Sequence, residues 1–477
     1  MRELLERLPP SGGNDEEPVE ELFCEALQAF GLDLESRGFW EAVRARMPLL
    51  TEEGEALEEE RTQVRAGLRA LRRLFRHHDP RERLALILES LPRMGRSRRR
   101  MGSTELQVDR SAFLRSAAPQ VLSMSREQLL SPVRVVYVGE RGEDAGGLTR
   151  DFFSSFATRL GEEEPALWEL TGRGSLQPAP AIVAASARHP SRLDADDLYR
   201  ACGRVFGFAV LHGCKLGRQL SRPFVRLLLG EPPATLEELM AELRHEAGEG
   251  AVDFRARSEF LERPLSANGL EGSLFFTCPA RGHPALPDTE LVPGGARLQV
   301  TDANKAEWLT LSLRHELVTA VAPAAEAFRQ GLADVFGGGG AAGAGGACPL
   351  LCLLDAEDLI ELWGRGGVSR HDVARWRAVT QVSPSIERQA QWLWQVLEED
   401  YDDELRGKVL QFATGSSSMG RDGLQCFIVE PADGSDERLP SAMTCGQMLQ
   451  LPRYSCRAVL AARLRVAVED CSTFQMM

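Results

Sequence analysis

Lysine is nearly missing from this chain. Of 56 basic residues in 477, only Lys215, Lys305 and Lys408 are lysines. With 44 glycines, 26 prolines and abundant alanine, this reads as the codon bias of a GC-rich genome. Long apolar runs are missing too. No amino-terminal stretch has the form of a signal peptide, and no segment approaches the roughly 20 apolar residues of a membrane span. The ten cysteines follow no pairing pattern. Cys348 and Cys352 stand four apart without a His or Cys partner at zinc-ligand spacing. No metal or other cofactor is expected, and the thiols are expected to be reduced, in the cytosol or nucleus. The net charge of −14 argues against nucleic-acid binding by the chain as a whole.

That charge is unevenly spread. Residues 1–60 hold five basic and seventeen acidic side chains, whereas residues 61–100 hold thirteen arginines and three acids. Solvated helix faces account for both blocks, though the arginines of 61–105 leave a role toward nucleic acid or an acidic surface open. Hydrophobic residues make up 43%, enough for sizeable cores in roughly two to four domains.

Residues 1–20 are acidic and rich in Gly, Pro and Asn, as in a disordered segment. From about Glu21 to Ser90 the pattern is helical, with Val64, Leu68, Leu71 and Phe75 on one face. The run "RMGRSRRRMGS" (Arg93–Ser103) reads as a basic linker. Val133–Tyr137 reads as a strand, followed by the glycine loop "GERGEDAGG". That loop lacks a P-loop lysine, and its three acids would repel phosphate. Thr149 is expected to cap a helix burying Phe152, Phe156 and Leu160. A helix over Asp197–Leu220 carries Gly203 and Gly207, small enough for a close neighbour. Short strands are expected at Ser273–Cys278 and before Thr301, and Thr301 is expected to cap a helix that stacks Leu309, Leu313 and Leu317.

"GGGGAAGAGG" (Gly337–Gly346) is flexible in composition. A second break, "WGRGGVSR" (Trp363–Arg370), reads either as a hinge or as a simple surface loop. Beyond it, Pro384 opens a helix burying Ile386, Ala390, Leu393, Trp394 and Leu397. A helix from Asp402 to Thr414 ends at Gly415, a strand follows near Gln425–Glu430, and Ser455 is expected to cap a last helix burying Leu460, Leu464, Ala467 and Val468.

Most cysteines in such a chain are small core hydrophobes, and Cys24, Cys202, Cys214, Cys352, Cys456 and Cys471 sit in patterns that suit that role. Cys445 has a different setting, "LPSAMTCGQMLQLPRYS" (Leu439–Ser455). Thr444 precedes it, Gly446 follows it, and Pro440 and Pro452 flank the segment. No His, Asp or Glu lies between those prolines. A thiol attacking an unactivated amide needs a histidine. A thiol exchanging with a thioester does not, because the two sulfur esters are close in energy and thiolate leaves readily. The setting therefore admits acyl carriage by transthiolation.

Six segments, in order, resemble the catalytic domain of HECT-type ubiquitin ligases. They are "GERGEDAGGLTRDFF", "GRVFGFAVLHG", "LVPGGARLQVTDANKAEW", "VLQFATGSS", the Cys445 segment, and the tail with Phe474 fourth from the last residue. The resemblance spans about Leu106 to Met477. It implies an α+β, bilobal fold: a mostly helical larger N-lobe (106–363) with a conjugating-enzyme-binding subdomain near 232–300, a hinge at 364–370 through Gly364, Gly366 and Gly367, and a smaller α/β C-lobe (371–477). A helical extension and basic linker (21–105) would precede it. The implied activity is transfer of ubiquitin from a conjugating enzyme to Cys445 as a thioester, then to lysine on protein substrates. Thr444, Phe474, Arg150 and Asp151 would support the site. The segment departs from the family's usual His-Thr-Cys-Phe-Asn, reading Met443-Thr444-Cys445-Gly446-Gln447. That departure motivates the alternative of a HECT-like scaffold that binds ubiquitin or a conjugating enzyme without catalysis.

Overall fold

The structure, a computed structural model, describes residues 26–29, 58–75, 104–140, 147–163, 167–181, 193–247, 252–279, 287–336, 354–364, 368, 370–415, 424 and 426–470. The acidic start (1–20), the basic linker (93–103), the glycine loop after Glu140, the glycine run (337–346), Gly366, Gly367 and Phe474 lie outside them. Ten strands are described: β1 Thr104–Val108, β2 Val133–Tyr137, β3 Trp168–Leu170, β4 Leu176–Pro178, β5 Thr277–Cys278, β6 Thr289–Glu290, β7 Thr380–Val382, β8 Phe427–Ala432, β9 Ser441–Met443 and β10 Met448–Pro452. Helices carry most of the rest, so the fold is α+β. No helix among the described residues is long and apolar enough to cross a membrane.

The chain divides into two compact units: Met1–Arg98, Glu163–Gly207 and Leu220–Leu362 form one; Arg99–Glu162, Phe208–Gln219 and Trp363–Met477 form the other. In the first, helix Glu58–Phe75 buries Val64, Leu68 and Leu71 as their spacing requires. Trp168 on β3 is the centre of an aromatic cluster, edge-on to Tyr199, Phe224 and Phe328 at 5.4, 6.0 and 6.5 Å. Edge-to-face packing suits the ring quadrupoles. Gly203 and Gly331 bring two helices, Ala195–Leu211 and Ala322–Phe336, into backbone contact. A Cβ on Gly203 would stand 2.0 Å from the Phe328 carbonyl oxygen. A second core gathers Leu239 and Leu243 from helix Leu236–Ala247 with the stacked Leu309, Leu313 and Leu317.

In the second unit, β1 and β2 pair in parallel. A four-stranded sheet has the order β7-β8-β10-β9, with β9 antiparallel at the edge and the other pairings parallel. Phe427 and Val429 on β8, and Leu449 and Leu451 on β10, alternate into the core, as a sheet with one face covered by helices requires. Ile386, Ala390, Leu393, Trp394 and Leu397 are all buried there, as are Leu460, Leu464, Ala467 and Val468. Trp376 packs edge-on against Trp394 (5.9 Å) and Phe427 (5.1 Å).

Several expectations need correcting. The helix expected to run to Leu220 ends at Leu211, where the chain turns through Gly213 at φ 62°. Thr149 lies inside helix Gly147–Glu163, and its hydroxyl donates to the Val133 carbonyl at 3.2 Å instead of capping. Thr301 does not cap its helix: Asn304 occupies that position and accepts from the Thr301 amide at 2.6 Å. The strand expected before Thr301 is reduced to a single bridge, Phe275 to Gln299, and the Ser273–Cys278 strand shrinks to β5. Ser455 gives both its amide and its hydroxyl to Asp436, at 2.7 and 2.6 Å, and the last helix begins at Arg457. Cys456, expected in the core, is exposed.

Candidate functional site

Cys445 sits in a tight turn whose backbone is built by its neighbours. β9 and β10 form a hairpin with Met443 opposite Met448. The connecting residues make one 3-10 turn, Thr444–Gly446, closed by the Gln447 amide donating to the Thr444 carbonyl at 3.2 Å. Gln447 then takes φ +50°, the only positive φ at a non-glycine among the described residues. A left-handed residue after such a turn re-aims the chain into the second strand. The Gln447 carbonyl accepts from the Ile428 amide at 3.1 Å, which ties the turn to β8. The Cys445 side chain itself lies outside what the structure describes.

Beneath the turn runs helix Asp403–Thr414, which packs against β9, β10 and the turn. Its ends are those its sequence calls for. The Asp402 carboxylate accepts from the Leu405 amide at 2.8 Å at the start, and Gly415 takes φ 78° at the end. The terminal carbonyls of a helix carry partial negative charge and lack partners within it. Arg150 supplies one: its Nε and Nη2 donate to the Thr414 oxygen at 3.2 and 3.0 Å. Gln411 adds a bond to the Ser154 hydroxyl at 3.3 Å.

The two segments approach most closely at Gly415, where φ +78° and the narrow gap both favour glycine. A Cβ on Gly415 would lie 3.0 Å from the Gly147 oxygen, and one on Gly147 would lie 3.6 Å from the Thr444 hydroxyl oxygen. Thr444, half-buried, thus faces the first turn of helix Gly147–Glu163. Arg150 and Asp151 are consecutive on that turn but serve different partners. Asp151 is buried, with Oδ2 2.9 Å from Nη1 of Arg110.

Arg110 is also 2.5 Å from Glu140 and stands 3.6 Å over the ring of Tyr137. Burial works against its charge, but the carboxylates of Asp151 and Glu140 outweigh burial and hold the guanidinium protonated. Burial, reinforced by Asp151, pushes the Tyr137 phenol well above its ordinary value, so it stays neutral. This cluster of Arg110, Tyr137, Glu140 and Asp151 locks the helix start to β2. Glu140 belongs to the glycine loop that the sequence marks, but nothing local announces its pairing with Arg110, 30 residues away.

Of the expected site residues, Thr444, the backbone of Cys445, and Arg150 come together around the end of one helix. Asp151 sits one residue further and pairs with Arg110 instead. Gly364 is buried directly after Trp363, and the rest of the expected hinge, Gly366 and Gly367, lies outside the described residues, as does Phe474.

An α+β chain with a cysteine-bearing hairpin turn narrows the class of protein, and comparison with known proteins defines it. The family model described as HECT-domain (ubiquitin-transferase) matches residues 156–477, about two thirds of the chain. The chain belongs to this family. It is 28% identical over 376 residues to the E3 ubiquitin-protein ligase HACE1 of Danio rerio, covering 76% of this chain and 38% of that protein. It is 27% identical over 390 residues to E3 ubiquitin-protein ligase Smurf1 of Drosophila melanogaster, covering 78% and 34%. Against E3 ubiquitin-protein ligase RSP5 of Chaetomium thermophilum it is 26% identical over 386 residues, covering 78% and 43%. The match thus spans between about a third and somewhat over two fifths of the length of these relatives.

Proposed function

We propose that this chain is a ubiquitin-protein ligase that works through Cys445. The Cys445 thiolate attacks the carbonyl carbon of the thioester joining ubiquitin to a conjugating enzyme. A new carbon–sulfur bond forms, and the conjugating enzyme leaves as thiolate. A neutral substrate lysine then attacks the Cys445 thioester. The amide forms, the amine loses its proton, and the Cys445 thiolate departs. Both steps pass through an oxyanion, for which the Thr444 hydroxyl and the amides of the 3-10 turn are the proposed donors.

The observation that carries this reading is the family match over 156–477, which encloses Cys445, together with a turn that fixes the cysteine backbone between two bonded strands. All three relatives are named E3 ubiquitin-protein ligases, which supports the same activity here. Within this reading, residues 106–363 are the N-lobe, with the conjugating enzyme docking near 232–300. Residues 371–477 are the C-lobe, and Gly364, Gly366 and Gly367 form the hinge that lets Cys445 alternate between donor and acceptor. Arg150 and Asp151 hold the helix against which Thr444 rests, and Phe474 anchors the tail.

The test is a charging reaction with activating enzyme, a panel of conjugating enzymes and ubiquitin. The proposal expects an adduct of this chain with ubiquitin that reductant removes. Absence of any such adduct across the panel counts against it.

A further inference from the structure

Between the β3–β4 hairpin and helix Leu236–Ala247 lies a cavity of about 470 Å³, within the range of small-ligand sites. Its mouth carries two exposed apolar side chains, Leu170 and Val252. Its wall carries Glu246, whose position is unusual. Glu246 is 6% exposed, and its Oε2 is buried with no hydrogen-bond partner. Its Oε1 accepts from the Arg222 backbone amide at 2.7 Å and lies 3.4 Å from His245 Nδ1. Among the described residues no lysine or arginine side chain pairs with it.

The neighbouring carboxylates are answered differently. Glu242, one turn earlier on the same helix, meets Arg226 Nη1 at 2.8 Å. Asp253 and Glu316, also on the cavity wall, share Arg257 at 3.4 and 2.8 Å. The remaining titratable wall group that can turn positive is His315, and burial pushes its imidazole below its ordinary value, so it is neutral at pH 7. The carboxyl-terminal end of helix Leu236–Ala247 adds further negative potential, since Ala247 lines the cavity.

The wall is also stiff. The Arg173 amide donates to the Glu246 carbonyl at 3.0 Å, and Gly172 packs so closely that a Cβ there would stand 2.4 Å from the Ala247 oxygen. Gln177 lines the cavity with its amide nitrogen buried and unpartnered while its oxygen serves Ser221; either orientation of that amide leaves one end unmet. A buried carboxylate that no lysine or arginine answers is costly, and a preformed cavity with an apolar mouth offers the place for such a group.

We propose that this cavity is a binding site for an organic cation, a guanidinium or ammonium group on an apolar stem. The stem would lie against Leu170 and Val252 and the charged head would pair with Glu246. A free alkyl amine and the side chain of a peptide arginine or lysine present this same chemistry.

The proposal is independent of ubiquitin transfer and is tested by calorimetry on the full chain. The probes are butylguanidinium, its uncharged counterpart butylurea, and acetyl-arginine amide. Butylguanidinium is expected to bind saturably, with butylurea at least about tenfold weaker. Glu246→Gln is expected to weaken butylguanidinium by about tenfold or more. Val252→Arg places a fixed cation at the mouth, at a residue 83% exposed, and is expected to weaken it similarly without touching the core. Tighter binding of acetyl-arginine amide than of butylguanidinium supports the site with a peptide side chain as source, and the reverse order supports it with a free small cation. Equal binding of butylurea and butylguanidinium, no binding of either cation at millimolar concentration, or binding unchanged in Val252→Arg would overturn it.

Discussion

Arg150 reaches across 264 residues of sequence to cap the helix that ends at Thr414, with Nε and Nη2 at 3.2 and 3.0 Å from its carbonyl. The cation meets the negative end of the helix that supports the Cys445 turn, and the planar fork uses two donors on one oxygen. Replacing Arg150 with Ala is expected to lower local stability by about 1–2 kcal/mol, in the range of hydrogen bonds from a charged donor after allowance for its partial exposure. The readout is faster amide hydrogen exchange in the last turn of Asp403–Thr414. Arg150→Lys keeps the charge but loses the fork and is expected to recover only part. Unchanged exchange in Arg150→Ala would count against this contact.

Gln447 is held in the left-handed region to close the turn after Cys445. Such a backbone costs an ordinary L residue roughly 1–2 kcal/mol, and asparagine tolerates it better. Gln447→Asn is expected to hold or raise the melting temperature, whereas Gln447→Val is expected to lower it, because a β-branched side chain fits that region worst. Equal melting of the two variants would contradict the assignment.

Gly203 and Gly207 predict a graded response. A methyl at Gly203 meets backbone, the Phe328 oxygen at 2.0 Å, which cannot yield without moving a helix. At Gly207 the nearest atom is the Val335 side chain at 2.9 Å, which can adjust. Gly203→Ala is expected to destabilise by about 1–3 kcal/mol or more, and Gly207→Ala by less. Thermal melts of both variants check the order.

Asp436 accepts from the Ser455 hydroxyl and amide, and these bonds hold its carboxyl below the ordinary value of 3.8. Because the folded value is depressed, the contribution is present above the unfolded pKa and is lost as pH falls through the folded one. A carbon-detected NMR titration is expected to find Asp436 ionising below its ordinary value and moving upward in Ser455→Ala. No movement would show that Ser455 does not set it.

The parts of the fold legible in the sequence are those decided within one element. The stacked Leu309, Leu313 and Leu317, the buried side of Ile386 to Leu397, and the helix bounded by Asp402 and Gly415 all follow from local periodicity and caps. Two of the three misread caps share one cause; the third, Thr301, loses the position to Asn304 three residues on. The hydroxyls of Thr149 and Ser455 are spent on distant partners, the Val133 carbonyl and Asp436, which no local pattern announces. The site divides the same way. The polar residue and the glycine on either side of Cys445 are legible in the sequence, and so are Arg150 and Asp151 as members of a motif, but the β9–β10 hairpin that makes the turn is not. Their actual partners, Thr414 and Arg110, were not, since each contact depends on how separate elements pack.

The central claim is that ubiquitin is carried on the sulfur of Cys445, and the most direct test is Cys445→Ser in the charging reaction. A serine would form an oxygen ester in place of the thioester. The reductant-sensitive adduct of the parent chain is expected to become reductant-resistant in Cys445→Ser and to disappear in Cys445→Ala. A reductant-sensitive adduct persisting in either variant would place the ubiquitin on another cysteine and contradict it.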